Sequence, residues 1–193
     1  SVSLCTSRVT NLTLPESSLT AFESLGVILF GPLVNMFWLW LQNRNKDFSI
    51  PAKFSLSFLF NGLSFLVLVI GLHYAISNGV KLNQMFIILC YLIIAFGELF
   101  ISPIGLAMVS TLVPQRLNGA MMGIVLMSIG FGGKLAGFLA QSAVNDSTNI
   151  SLTTLETVYR NSFETYALFS IGIFVLCILA IKPINKLIFG KNK

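Results

Sequence analysis

Five long apolar runs separated by short polar connections set the pattern of this 193-residue chain. They cover residues 22–41, 54–75, 85–112 and 119–143, and a last run begins near Phe163 and continues to Ile181. A helix needs ~20 apolar residues to cross the hydrocarbon core of a bilayer, and each run reaches or approaches that length. The runs do not alternate and are too long for barrel strands, so helices are predicted throughout. The fold class that follows is all-α, a polytopic transmembrane helix bundle. Its spans lie at about 22–41, 54–75, 85–112, 119–143 and 163–181. Polar 144–162 reads as the long loop of the chain and carries two glycosylation sequons, at Asn145 and Asn149.

Composition sharpens this reading. Hydrophobic residues make up 55% of the chain and charged residues 10%, with a mean hydropathy of +0.84. Those values belong to an integral, multi-pass membrane protein with the lipid bilayer as its surroundings, and the plasma (inner) membrane is its expected location. The basic residues sit between the runs rather than along one stripe, so nucleic acid is not a partner. Arg44, Lys46, Lys53, Arg116, Lys182, Lys186, Lys191 and Lys193 fall on one side, against Arg8, Lys81 and Arg160 on the other. The positive-inside rule then puts residues 1–20 outside and the C-terminus in the cytoplasm. Cys5, Cys90 and Cys177 lack metal-ligand or redox spacing and read as packing residues. An odd number of spans, with no signal peptide at the start, points to a missing N-terminal portion.

The informative residues are those that break the apolar pattern. Glu98 stands near the centre of the third run, where an acidic side chain costs ~2.5–3.5 kcal/mol to insert. A carboxyl at that depth belongs to a functional site facing the bundle interior or water, where it can exchange a proton for a cationic ligand. At helical spacing Tyr91, Glu98, Ser102 and Gly105 share a stripe, a candidate cavity wall. Lys134 lies in the outward half of the fourth span, placed either to snorkel to the surface or to face a cavity. Glu23 and His73 lie close to the outer interface, where water is near.

Gly31-Pro32 interrupts the first span and Pro103 the third. Each proline removes a backbone hydrogen bond to the residue four earlier, so Gly31, Pro32 and Pro103 are candidate hinges. The fourth span carries Gly119, Gly123, Gly130, Gly132, Gly133 and Gly137, a small-residue pattern that predicts tight packing along much of its length. No catalytic set is present: there is one histidine, no metal-ligand spacing and no phosphate loop, so an enzyme is not predicted and no cofactor is implied.

"GELFISPIGLAMV", followed by "LNGAMMGIVLMSIGFGGKLAG", resembles the proton-dependent oligopeptide transporter (POT) family of the major facilitator superfamily. "LPESSLTAFESLG" and the final span fit the same alignment. The resemblance implies that the runs are helices 8 to 12 of a twelve-helix protein, the C-terminal half of that fold, with the N-terminal half as their partner. It implies proton-coupled symport of di- and tripeptides, with protons as the coupling ion and the substrate amino group on Glu98. Ser128 matches the helix-11 serine near the ligand. The sequence departs from the family pattern at five positions. Gly26 and Val27 replace an Asn-Pro pair, whose Asn helps hold the peptide's carboxyl end or backbone. Val125 replaces a ligand-contacting Trp. Gly133 and Lys134 replace Asn and Tyr. The alternatives are a symporter for a different zwitterionic or cationic solute, and a non-transporting remnant or membrane subunit.

Overall fold

In a computed structural model the chain is a bundle of helices, described over residues 2–11, 16–44, 50–142 and 152–189. A short helix α1 (Val2–Val9) leads to a two-residue strand β1 (Thr10–Asn11). Two long helices follow, α2 (Glu16–Asn43) and α3 (Ile50–Asn78). A second short strand β2 (Leu82–Asn83) introduces α4 (Gln84–Leu112). A 3-10 turn at Gln115–Leu117 then opens α5 (Asn118–Ser142), and α6 (Leu152–Phe189) ends the order. Over their described residues the five apolar runs lie inside α2 to α6. Four of these helices are long and apolar enough over their described residues to cross a membrane.

An uninterrupted helix is what apolar surroundings demand, because every backbone N–H and C=O must be paired within the segment. Hydroxyls follow the same rule. Ser55 and Ser64 donate to carbonyls three residues back, Ser162 and Thr165 to carbonyls four back. Pro32 lies inside α2, which continues on both sides of it. Pro103 lies within α4, with its side chain outside the described residues.

Two expectations need correction. Residues 152–162 are not loop, because α6 begins at Leu152. Those first turns look polar in sequence yet place Leu155, Tyr159, Phe163 and Tyr166 on one face, at helical spacing, against the core. The two sequons lie outside the described residues. The second correction concerns α5. Its glycines have nothing within 4 Å of where a Cβ would stand, and residues Ile124 to Phe138 are almost all exposed. α5 touches α4 and the turn before it, so no described helix lies against its glycine face.

Close packing is concentrated around α3 instead. Contacts with α4 pair Phe60 with Phe100 and Gly71 with Phe86, so the two helices run antiparallel. Contacts with α6 pair Phe65 with Phe163 and Gly62 with Ile171, again antiparallel. α2 and α4 run parallel, because Gly26 meets Ala95, Phe30 meets Phe96 and Gly31 meets Leu99. The directions of α2, α3, α4 and α6 therefore agree with a chain that reverses at each crossing. At the start of the bundle β1 pairs in parallel with β2, Thr10 opposite Leu82. That ladder closes a core of Cys5, Val9, Leu19, Leu72, Cys90 and Phe163.

With lipid as apolar as a Leu side chain, helix association rests on fit rather than on escape from water. A Cβ at Gly71 would stand 2.7 Å from Cγ of Phe86 and 2.9 Å from Leu82. Gly71→Val is expected to cost about 2 kcal/mol by overpacking, while Ile70→Val on the exposed neighbour is near neutral. Thermal unfolding in detergent checks this, and equal melting temperatures for the two would contradict it. Phe163 is fully buried and stacks on Phe65, with centroids 5.9 Å apart. Phe163→Ala is expected to cost about 3 kcal/mol through the cavity it leaves, read by the same melting experiment.

Candidate functional site

Residue 98 lies midway along α4, between two neighbours that point to opposite sides. Gly97 faces α3, where a Cβ would meet Phe60 at 3.2 Å and the Ser57 carbonyl oxygen at 3.4 Å. Leu99 faces α2, with Cδ2 at 3.9 Å from the Cβ position of Gly31. At 100° per residue, a side chain between those two directions points away from both helices. Glu98 is accordingly exposed on the open side of α4.

The back of the same helix is fixed by aromatic rings. Phe96 meets Phe30 of α2 at 5.6 Å and Phe60 of α3 at 4.8 Å, both edge to face. Phe100 meets Trp38 at 5.6 Å and stacks on Phe60 at 5.5 Å. These contacts lock the rotation of α4 about its axis, each worth ~0.5–1.5 kcal/mol beyond burial. Rotation is what decides where Glu98 points. At the end of the bundle where α2 meets α3, Lys53 lies over the Trp38 ring at 4.5 Å and Arg44 over Trp40 at 4.3 Å. Tryptophans beside basic residues are the composition of a membrane–water boundary.

The other candidate residues are placed as follows. Ser128 is exposed on α5 and donates its hydroxyl to the Ile124 carbonyl at 2.8 Å, which leaves its oxygen free to accept. Lys134 is exposed one and a half turns further along. Gly31 lies on the α4-facing side of α2. The stripe drawn through Tyr91, Glu98, Ser102 and Gly105 divides. Tyr91 is buried in the core with Cys5 and Phe163, about two turns before Glu98, where α1 packs against α4. The side chains of Ser102 and Gly105 lie outside the described residues.

Two carboxylates sit differently from their sequence reading. Glu156, assigned to an outer loop, is in α6 and 1% exposed. Among the described residues its Oε1 has no hydrogen-bond partner, and the same holds for the Tyr159 hydroxyl. Glu23, assigned to watery surroundings, is half-buried on the α4-facing side of α2. Its spacing from Gly26 and Phe30, at i+3 and i+7, was the available signal, but only the α2–α4 register shows what that face meets.

Comparison with known proteins bears on the family and the fold. Residues 4–159 match the model of the POT family. The dipeptide and tripeptide permease B of Shigella dysenteriae is 35% identical over 173 residues, covering 89% of this chain and 35% of that protein. The dipeptide and tripeptide permease A of Chromobacterium violaceum is 34% identical over 166 residues, covering 84% and 32%. The chain thus spans about a third of the length of these relatives. A crystal structure of a POT peptide transporter in complex with sulfate superposes with a TM-score of 0.79 at 23% identity, over 96% of this chain and 36% of that one. A POT family transporter in complex with a thioalcohol-conjugated peptide gives 0.75, over 96% and 37%. The fold is that of the C-terminal half of a major facilitator superfamily transporter, an all-α membrane bundle. With more than half of its residues inside the family match, the chain belongs to the POT family.

Proposed function

We propose that this chain forms the C-terminal part of a proton-coupled symporter for di- and tripeptides, with Glu98 binding the substrate's amino group. The observation that carries the reading is one carboxylate held on the open face of an otherwise apolar helix, midway along its length. An ionisable group at that depth is expensive unless it meets water, a proton or a cation, and a peptide ammonium supplies the last. The relatives named as dipeptide and tripeptide permeases support the substrate class.

In this reading the missing N-terminal half closes the open side of α4, and the two halves rock about the midplane site. Gly31, Pro32 and Pro103 are the positions at which the inner ends of α2 and α4 bend. Ser128 accepts a hydrogen bond from the substrate and Lys134 supplies a cavity charge from α5. Residues 1–20 are outside and the C-terminus is cytoplasmic, with Arg44 and Lys53 at the inner boundary.

One observation favours a wider substrate class. A Cβ at Gly26 would lie 2.8 Å from Cβ of Ala95 and 3.3 Å from Leu92, so α2 and α4 approach too closely there for an asparagine. The side chain that holds a peptide's carboxyl end in the family pattern has no room here. A different zwitterionic or cationic solute that needs no such contact is the second reading.

The test is proton-gradient-driven dipeptide uptake in proteoliposomes holding the intact parent protein, wild type against Glu98→Gln, at equal insertion. Uptake in the variant is expected to fall to about a tenth or less, as when one partner of a desolvated ion pair is lost. Equal uptake by both would leave Glu98 a structural residue. Uptake by neither would favour the second reading.

A further inference from the structure

We infer that Glu156 is a proton-binding site that latches α1 onto the first turns of α6, holding while the carboxyl is protonated and releasing as it ionises. The site lies apart from Glu98 and does not rest on the proposed function.

The core-facing side of α6 carries Glu156, Tyr159 and Phe163 at i, i+3 and i+7. α1 lies against α6 and supplies Cys5 and Val9, which share one core with Tyr159 and Phe163. Leu68 and Leu72 of α3 belong to the same core, so the surroundings of these turns are largely apolar. Three polar side chains are nonetheless enclosed at this end of the bundle. Glu156 is 1% exposed, Tyr159 3% and Thr10 4%. Thr10 follows Val9 directly and pairs with Leu82, another member of that core. Among the described residues, Glu156 Oε1 and the hydroxyls of Tyr159 and Thr10 have no hydrogen-bond partner. Thr6, buried beside them, differs: its hydroxyl donates to the Val2 carbonyl at 2.9 Å.

A buried carboxyl with an unpartnered oxygen has two ways to be accommodated. Ionised, it costs far more than a neutral polar group unless water reaches it. Protonated, it is donor and acceptor at once, and one water shared with the Tyr159 hydroxyl satisfies it. The closed junction therefore favours the protonated form, and the proton is taken from and returned to bulk water. Ionisation requires the junction to part. α1 is the element that yields, because it has eight residues against 38 in α6.

The groups around the junction separate Glu156 from other titrations. Cys5 of α1 and Cys90 of α4 are thiols, neutral below about pH 8, and Tyr91 and Tyr159 ionise higher still. Arg8 of α1, Lys81 beside β2 and Arg160 of α6 keep one charge throughout. Glu164 points away from the core, and Glu23 of α2 faces α4. His73 of α3 is exposed and titrates between about pH 5 and 8, so it is the control. The latch is strongest at low pH and is lost as pH rises through the range in which the buried carboxyl ionises.

The test is amide hydrogen exchange, read by mass spectrometry on the intact parent protein in detergent at about pH 5 and about pH 8 and corrected for the intrinsic exchange rate. In the wild type, protection of the α1 amides is expected to fall about tenfold from the lower pH to the higher. Amides around Phe65 in α3 should keep theirs. Glu156→Gln, which carries a neutral group of the same size, should hold α1 protected at both pH values, with its melting temperature confirming the fold. His73→Gln should behave as the wild type. Equal protection of α1 at both pH values in the wild type overturns the latch, and that result needs no variant. An undiminished fall in Glu156→Gln, or one abolished by His73→Gln, overturns the assignment to Glu156.

Discussion

A carboxylate midway along an apolar helix constrains everything around it, because it must stay open to water, a proton or a cation while its helix stays packed. In this chain the two demands are met by dividing α4 lengthwise. One side holds Phe96, Gly97 and Phe100 against α2 and α3, and the other holds Glu98 on the open face. The division depends on a fixed helix rotation. A turn of 100° in either direction would drive Glu98 into Phe60 or into the α2 contact. The aromatic cluster of Phe30, Phe60, Phe96, Phe100 and Trp38 is thus the structural basis of the site, although none of its rings is assigned to the ligand.

The same logic explains the placement of small residues. Gly26, Gly71 and Gly97 lie where neighbouring helices come closest, and each lets a backbone approach an aliphatic or aromatic side chain directly. The glycines of α5 belong to a different surface. They remain uncovered in this chain, as do Phe131, Leu135 and Phe138 beside them. In the proposed transporter α5 borders the cavity, and the remainder of the protein completes its packing.

Much of this was legible in the sequence. Runs of apolar residues located the helices because a membrane segment needs both length and uniform hydropathy, and Glu98 stood out because nothing else in its run is charged. The start of α6 was hidden by a different principle. Its first turns are amphipathic, with Tyr159 and Phe163 facing the core and Arg160 and Glu164 turned away, so mean hydropathy falls although the helix continues. Glu23 and Tyr91 were misplaced because depth alone does not say which way a side chain points. Their settings follow from the α2–α4 register and from the core that Tyr91 shares with residues of α1 and α6, neither of which is local to the sequence. The α5 glycines were legible as a packing surface but not as one whose cover is absent from this chain.

The most direct test of the central claim observes the Glu98 carboxyl itself. Infrared difference spectra of the intact parent protein, recorded on adding a dipeptide, report changes in carboxyl and carboxylate stretching bands. The account expects a band change in the wild type that disappears in Glu98→Gln while the variant remains folded. An identical band change in both proteins, or a dipeptide that binds the wild type without perturbing any carboxyl band, would contradict the assignment of Glu98 as the ligand-binding group.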